Sequence, residues 1–495
     1  MSAKNTYPAT LLCDFYKISH REQYPENTQY VYSTWIPRMS RIEGVDKVVA
    51  FGFQSFIMEY LIDYFNENFF SRPVEDVVAE YSRVIKFTLG VNEVDVQHIA
   101  DLHALGFLPL EIWALPEGTL VPLRVPMLSV ENTDPKFFWL TNYIETLMSN
   151  SLWVSSTSAT IAYQYRKILD KYAMMTVGNT DFVPFQGHDF SMRGLGSLES
   201  ALMSGAAHLT SFYGTDTIPA ILRLEKYYGA NIETEMVGTS IPATEHSVMC
   251  AYGENEFEAY KRIITEVYPS GFVSIVSDTW DLWKVLSDVI AELKDEIMAR
   301  DGKVVIRPDS GDPVKIVCGD PDGKTEAERK GVVEVLWDIF GGTISETGYR
   351  ILDSHIGCIY GDAITLERAE AISRGLAEKG FASINTVYGI GSFTYQYNTR
   401  DTFGFALKST HVIIDNEDIQ IYKDPKTDTS GVKKSLKGRV VVVSNGATEL
   451  IALDGLSMED QSLYEEKDHM KQIFHNGKLT TTVTLAEVRE RLSSY

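Results

Sequence analysis

The chain has 495 residues, 44% of them hydrophobic and 23% charged, enough for a substantial core and about three domains or two large ones. Its formal net charge of −23 repels nucleic acid and anionic membranes, so a phosphate-bearing ligand needs positive charge gathered locally. There is no uncharged apolar run of membrane-spanning length, no basic-then-apolar leader and no CxxC among Cys13, Cys250, Cys318 and Cys358; a cytoplasmic protein with reduced thiols is expected, without a zinc or disulfide framework.

Taken in chain order, the first 150 residues mix helix and strand. The apolar stretch VVAFGFQSFIMEYLIDYF (48–65) reads as a buried helix, and VEDVVAEYSRVIKF (74–87) has helical spacing. Residues 111–132 read as short strands broken by Pro and Gly, and 137–177 as two long helices. From about Ser240 to Arg400 short apolar runs alternate with amphipathic helices: GFVSIVSD, KVVIRPDSGD, HIGCIYGD and SINTVYGIGS each precede or follow a helical stretch. That alternation predicts parallel strands with crossover helices, and each strand ends in a polar or glycine-bearing turn. A β/α barrel gathers its chemistry at such ends and is preferred; an open α/β sheet gives the same pattern. After Arg400 strand-like text returns (FALKSTHVIID, IQIYKD, GRVVVV), with a basic run KKSLKGR, a polar loop over 423–438 and a final helix LAEVRERL.

Several short stretches carry chemistry. RPDSGDP (307–313) sets a guanidinium, a carboxylate, a hydroxyl and a glycine at a strand end; it suits a phosphate or sugar site and equally a capped turn. YGD (360–362) and YGIGS (388–392) offer backbone N–H groups to a phosphate, or are plain turns. GDPDGKT (319–325) falls one residue short of a P-loop and reads as a solvated loop. In 188–217, Phe190, Arg193 and Asp216 flank a small-residue helix and suit a flat heterocycle, although tight helix packing also explains that helix. Asp14, Tyr16, Lys17 and His20 cluster near the start without an evident role. His246, in SIPATEHSVM, follows Glu245 and admits four roles: satisfied core residue, metal ligand, general base or nucleophile.

Together these motifs resemble the nicotinamide phosphoribosyltransferases, a type II phosphoribosyltransferase family. The resemblance rests on DFYKxxH, HDFSMRG, FYGTDT, SIPATEHS, IVSD, IRPDSGDP, YGD, TRD, YKDP and KGR, in the family's order over residues 11 to 480. It implies an α/β fold: a barrel-like catalytic domain over 151–400 and a mixed α+β domain built from 1–150 and 401–495. It implies a homodimer with interface active sites, and transfer of 5-phosphoribosyl from phosphoribosyl pyrophosphate to nicotinamide with Mg²⁺. Tyr16 of a partner subunit and Phe190 would sandwich the pyridine ring, and Ser240 would belong to the substrate-binding set. Asp216 would accept from the carboxamide and repel nicotinate. Asp309 would hold the ribose hydroxyls. Gly361, Gly391, Arg400 and Lys408 would cradle the 5-phosphate, and Asp362 would also belong to the substrate-binding set. Arg38, Arg193, Arg307, Lys423 and Lys437 would bind pyrophosphate and nucleotide phosphates. His246 would take a phosphoryl group from ATP, oriented by Glu245 and Asp278.

The chain departs from the family where Ser392 and Phe393 replace turn glycines, and where Ala406 replaces a serine two residues before Lys408. These changes bear on phosphate binding. The competing readings are a nicotinate phosphoribosyltransferase, a non-catalytic ligand-binding protein on the same fold, and an unrelated phosphosugar enzyme on a barrel. Asp216 argues against the first, and the retained His246, Asp309, Arg307 and Arg400 argue against the second.

Overall fold

The computed structural model describes residues 7–495 except 430, 432, 447 and 448. The leader reading of residues 1–6, and positions 430 and 432 of the polar 423–438 segment, lie outside the described residues. The chain forms two compact units: Met1–Thr160 with Leu224–Ala230 and Asn398–Tyr495, and Ile161–Arg223 with Asn231–Tyr397.

The first unit is built on a seven-stranded sheet in which both chain ends meet. Thr28–Ile36 pairs antiparallel with Ala406–Ile414 on one side and with Leu128–Asn132 on the other. Leu110–Ala114 pairs in turn with Lys471–His475. One face buries Trp35, Ile112, Leu128 and Val130, and Trp35 stacks on Phe405 with ring centroids 5.3 Å apart. Burying aromatic and β-branched side chains on one face of such a sheet is what fixes its register. The stretch expected as one buried helix divides. Lys47–Val49 is a strand, and Gly52 at φ 100° turns the chain into a helical run over 53–70. Only glycine takes that backbone angle freely, and a run of apolar residues does not reveal the break. The two helices expected over 137–177 are mainly one, Glu145–Thr176, 32 residues long.

The second unit is a parallel barrel. Its strands lie in the order Gly214–Thr215, Gly187–Asp189, Thr386–Ile390, Ile356–Tyr360, Val304–Arg307, Val273–Val276, with every pairing parallel. Thr239 bridges to Gly214 and Ala243 to Ser274, so the irregular segment 239–243 joins the two edge strands and closes the ring. The strands at 273–276, 304–307, 356–360 and 386–390 fall in the apolar runs predicted for them. Helices such as Val332–Phe340 and Leu366–Glu378 cross over between strands, burying Leu336 and Ile372. No helix among the described residues is long and apolar enough to cross a membrane.

Candidate active site

Parallel strands deliver their C-terminal ends to one mouth of the barrel, and the polar residues singled out in this unit follow those ends. Phe190 and Arg193 follow Gly187–Asp189, and Asp216 follows Gly214–Thr215. Glu245 and His246 follow the closing segment, Asp278 follows Val273–Val276, and Asp309 follows Val304–Arg307. Gly361 and Asp362 follow Ile356–Tyr360; Gly391 follows Thr386–Ile390.

A cavity of about 470 Å³ opens in the barrel, lined by His188, Phe190, Asp216, Ser240 and Arg307 among others. Its size and mainly apolar wall with a few polar groups suit a small aromatic ligand. The Phe190 backbone N–H donates to the Ile390 carbonyl at 2.9 Å, tying the ring to the neighbouring strand. A Cβ on Gly361 would lie 2.8 Å from Asp309 Oδ1 and 3.5 Å from the Phe190 ring, so glycine there lets all three groups converge. Gly391 stands in open space, where even a Cβ would meet no atom within 4 Å.

Asp216 Oδ1 accepts from His188 Nε2 at 2.9 Å and from Ser240 Oγ at 2.6 Å. Burial pushes the Asp216 pKa up, but the His188 hydrogen bond and charge, then the Ser240 hydrogen bond and the Arg307 charge, prevail and hold it below the ordinary carboxylate value. The cavity therefore carries an ionised acceptor beside an aromatic face. Behind it lies Asp189, fully buried. Its Oδ1 accepts from the Ser191 N–H at 2.9 Å and hydroxyl at 2.6 Å; its Oδ2 accepts from Thr217 Oγ1 at 2.7 Å. The Asp216 N–H donates to the Asp189 carbonyl at 2.9 Å. This carboxylate thus fixes both strand ends, the one before Phe190 and the one before Asp216. Sequence reasoning passed over His188 and Asp189, although both stand inside the quoted HDFSMRG.

His246 opens the helix His246–Cys250 and is half-exposed. Its Nδ1 lies 3.2 Å from Thr279 Oγ1, and its Nε2 lies 3.8 Å from Asp278 Oδ1 and 3.7 Å from Asp309 Oδ2. Asp278 Oδ2 accepts from the Asp309 N–H at 3.0 Å and from the Ser310 hydroxyl, while its buried Oδ1 has no hydrogen-bond partner among the described residues. Glu245, expected to orient the histidine, instead accepts from the Ser247 hydroxyl at the helix start. Helical geometry explains the difference: the residue before a helix directs its side chain at its own first turn. Thr279 takes the position beside the ring, and a lone threonine after a strand gave no signal for it. Arg307 donates to the Thr244 carbonyl at 2.6 Å, and Arg193 and Asp362 are exposed at the same mouth. Ser392, one of the departures, packs on Gly194 so tightly that a Cβ there would meet its Oγ at 2.1 Å; Phe393 is exposed and stacks on Tyr397.

The remaining expected residues belong to the unit of the chain ends. Arg38 and Lys408 line one cavity of about 280 Å³ with Arg124, Lys433 and Lys434. Burial first, then the Arg38 and Lys423 charges, lower the Lys408 pKa; burial and Arg400 lower that of Arg38. Five cations line this cavity, with Asp454 on its wall and Asp424 paired to Lys434 at 3.3 Å, so positive charge predominates there, as an anion site needs. Lys437 does not line the cavity: its ammonium lies over the Tyr422 ring at 5.4 Å. Lys433 and Lys434 were quoted within the basic run but not singled out. Ala406 sits in the sheet opposite Ile36, buried. Tyr16 is 57% exposed.

Comparison with known proteins bears on this arrangement. Residues 185–478 match the nicotinate phosphoribosyltransferase (NAPRTase) family, and residues 9–112 match the nicotinamide phosphoribosyltransferase N-terminal domain. A nicotinamide phosphoribosyltransferase of Acinetobacter baylyi is 50% identical over 97% of this chain and 96% of its own. One of Mycoplasma pneumoniae is 35% identical over 88% and 96%. In fold, the chain is similar to a nicotinate-nucleotide pyrophosphorylase of Pyrococcus furiosus, with a TM-score of 0.56, 15% identity and coverage of 100% and 97%. It is also similar to human nicotinic acid phosphoribosyltransferase, with a TM-score of 0.55, 14% identity and coverage of 98% and 93%.

Proposed function

The chain belongs to the nicotinate phosphoribosyltransferase family, and from that premise we propose that it transfers 5-phosphoribosyl from phosphoribosyl pyrophosphate to nicotinamide, serving NAD salvage. The pyridine nitrogen bonds to the ribose C1 as the C1–pyrophosphate bond breaks, releasing nicotinamide mononucleotide and pyrophosphate. One observation carries the choice of base: the carboxylate of Asp216, held ionised at the cavity wall beside Phe190. An anionic acceptor attracts a carboxamide N–H and repels the carboxylate of nicotinate. Phe190 supplies a stacking face, and Tyr16 of a second subunit supplies the other. Homodimerisation is part of this reading, and the exposure of Tyr16 supports it.

Asp309 takes the ribose hydroxyls, and the glycine-bearing ends at Gly361 and Gly391 take the 5-phosphate. Bond cleavage builds positive charge on the sugar and negative charge on the leaving group. Fixed cations and carboxylates that hold both in line supply most of the catalysis. Mg²⁺ fits the donors present: Asp278 has a buried carboxylate oxygen without a hydrogen-bond partner among the described residues, and Asp309 lies beside it. These two hard oxygen ligands with substrate phosphates suit that ion, which when bound would neutralise the departing pyrophosphate. His246, flanked by Thr279, Asp278 and Asp309, accepts a phosphoryl group from ATP and so couples ATP to the transfer. The four cysteines are free thiols, which supports a reducing, cytoplasmic setting.

The test is mononucleotide formation from phosphoribosyl pyrophosphate with nicotinamide or nicotinate, each with and without ATP, on wild type and Asp216→Asn. Strong preference for nicotinamide that relaxes in the variant is expected. Equal use of both bases by wild type would overturn the base assignment, and no turnover with either would overturn the reaction.

A further inference from the structure

We propose that His188 is a positioning residue for base specificity: with Ser240 it locks one oxygen of Asp216 and leaves the other to read the amide of the incoming base. This deepens the reading above and rests on it.

A carboxylate only accepts hydrogen bonds, so at 2.9 Å from Asp216 Oδ1 the His188 Nε2 must carry a proton. The Ser240 hydroxyl donates to the same oxygen at 2.6 Å and lies 3.5 Å from His188 Nε2. Both named donors fall on Oδ1, which fixes the carboxylate plane and assigns Oδ2 to a ligand. The burial supports this division: the His188 side chain is 11% exposed and that of Asp216 50%. The imidazole is wedged in place. A Cβ on Gly214 would lie 2.7 Å from its Nδ1, so glycine at the neighbouring strand end makes room for the ring, and the Phe190 ring centroid is 4.8 Å away. One buried imidazole therefore touches the stacking residue, the carboxylate and the strand that carries it. An Asp216 free to rotate would present both oxygens to solvent and lose its register with the base. Preorganisation of this kind acts on binding of the group it reads and leaves the distant chemistry alone.

The experiment measures nicotinamide and nicotinate kinetics for His188→Ala, His188→Gln, Ser240→Ala and His188→Ala in an Asp216→Asn background, together with ring-¹⁵N NMR of wild type. Losing a buried donor to a charged acceptor, His188→Ala raises KM for nicotinamide about tenfold or more and lowers the preference over nicotinate by a similar factor. The kcat and the KM for phosphoribosyl pyrophosphate stay within about twofold, since neither group touches the sugar phosphate. Glutamine, whose amide N–H can reach Oδ1, restores most of the loss. In the Asp216→Asn background the His188 change adds little, because the two act as one unit. The NMR spectrum shows Nε2 protonated, a readout that needs no substrate. Unchanged selectivity in His188→Ala would overturn the proposal. So would a parallel rise of all three KM values, which marks a structural role, or an Nδ1–H tautomer. A wild type that does not prefer nicotinamide sinks the function proposed above, and the tautomer then decides the lock by itself.

Discussion

The Phe190 ring rests directly on the backbone of Gly389: a Cβ there would meet ring carbons at 2.5 and 2.6 Å. Gly389 lies in the strand Thr386–Ile390, beside the strand whose end carries Phe190. The flat floor a glycine provides is what allows the ring to lie against the barrel wall and face the cavity. Gly389→Ala must push the ring off that floor and into the space a base would use. A rise in KM for nicotinamide of about tenfold is expected, in line with small overpacking penalties, with the KM for phosphoribosyl pyrophosphate nearly unchanged. Steady-state kinetics with each substrate varied in turn checks this, and an unchanged nicotinamide KM would remove Phe190 from the base site.

The surroundings of His246 make a second prediction. Its ring faces Thr279 through Nδ1 and two carboxylates through Nε2, and the Asp278 carboxylate is anchored by the Asp309 N–H. A nucleophilic imidazole so placed should carry an acid-labile, base-stable label after incubation with γ-labelled ATP. His246→Ala should abolish the label and the ATP stimulation of turnover while sparing turnover without ATP. Asp278→Ala, which leaves ring and loop without their shared anchor, should cut the labelling rate by about tenfold or more, as expected for loss of a group that orients a nucleophile. Labelling that persists in His246→Ala would place the phosphoryl acceptor elsewhere.

How much of this was legible in the sequence depends on where each signal resides. The barrel strands announced themselves because a buried parallel strand is a short apolar run ending in a polar turn, as in KVVIRPDSGD. The residues at those ends were found for the same reason. The strands Gly187–Asp189 and Gly214–Thr215 were not predicted, since three- and two-residue strands of Gly, His, Asp and Thr have no apolar pattern. His188 and Asp189 escaped with them, because their roles appear only when neighbouring strands bring Asp216, Ser240, Thr215 and Thr217 to them. Thr279 and Arg124 were illegible in the same way: a contact made across the fold leaves no local trace. The turn of Glu245 toward Ser247 was illegible too, because adjacency in sequence is not adjacency of side chains at a helix start.

The cationic cavity of the terminal-segment unit yields a third prediction. Lys408 is half-buried and lines a cavity with Arg38, Arg124, Lys433 and Lys434. Like charges so close repel one another, and an anion entering the cavity relieves that repulsion. Lys408→Ala should raise the KM for phosphoribosyl pyrophosphate by about tenfold or more, the scale of a lost charge-assisted hydrogen bond. The same change should raise the thermal midpoint of the unliganded protein slightly, because like charges are relieved. Lys437→Ala, whose ammonium lies over Tyr422 and outside the cavity, should change neither. Equal effects of the two substitutions on KM would contradict the assignment of the cavity.

The last prediction concerns pH. Two histidines titrate far below their ordinary value of 6.5, and each stands in a different unit. Burial first, then the Arg21 charge, brings His98 down to about 4, where its ring packs edge-on against Tyr81 and Trp139. Burial brings His208 down to about 4, where its Nε2 donates to the Gly214 carbonyl at 3.0 Å and its Nδ1 accepts from the Tyr395 hydroxyl at 2.7 Å. Both rings are neutral in the folded chain down to about pH 4, whereas in the unfolded chain they take up a proton near 6.5. Between those values the unfolded chain binds more protons, so stability must fall as pH falls through that window. The slope is about 1.4 kcal/mol per pH unit for each proton of difference. Urea midpoints between pH 7 and pH 4.5 read this directly. His98→Phe keeps an aromatic ring against Tyr81 and Trp139 without a titrating group, and should flatten the dependence of the first unit while leaving that of the barrel unchanged. A wild-type midpoint that does not move across the window would show that neither ring is held neutral by the fold.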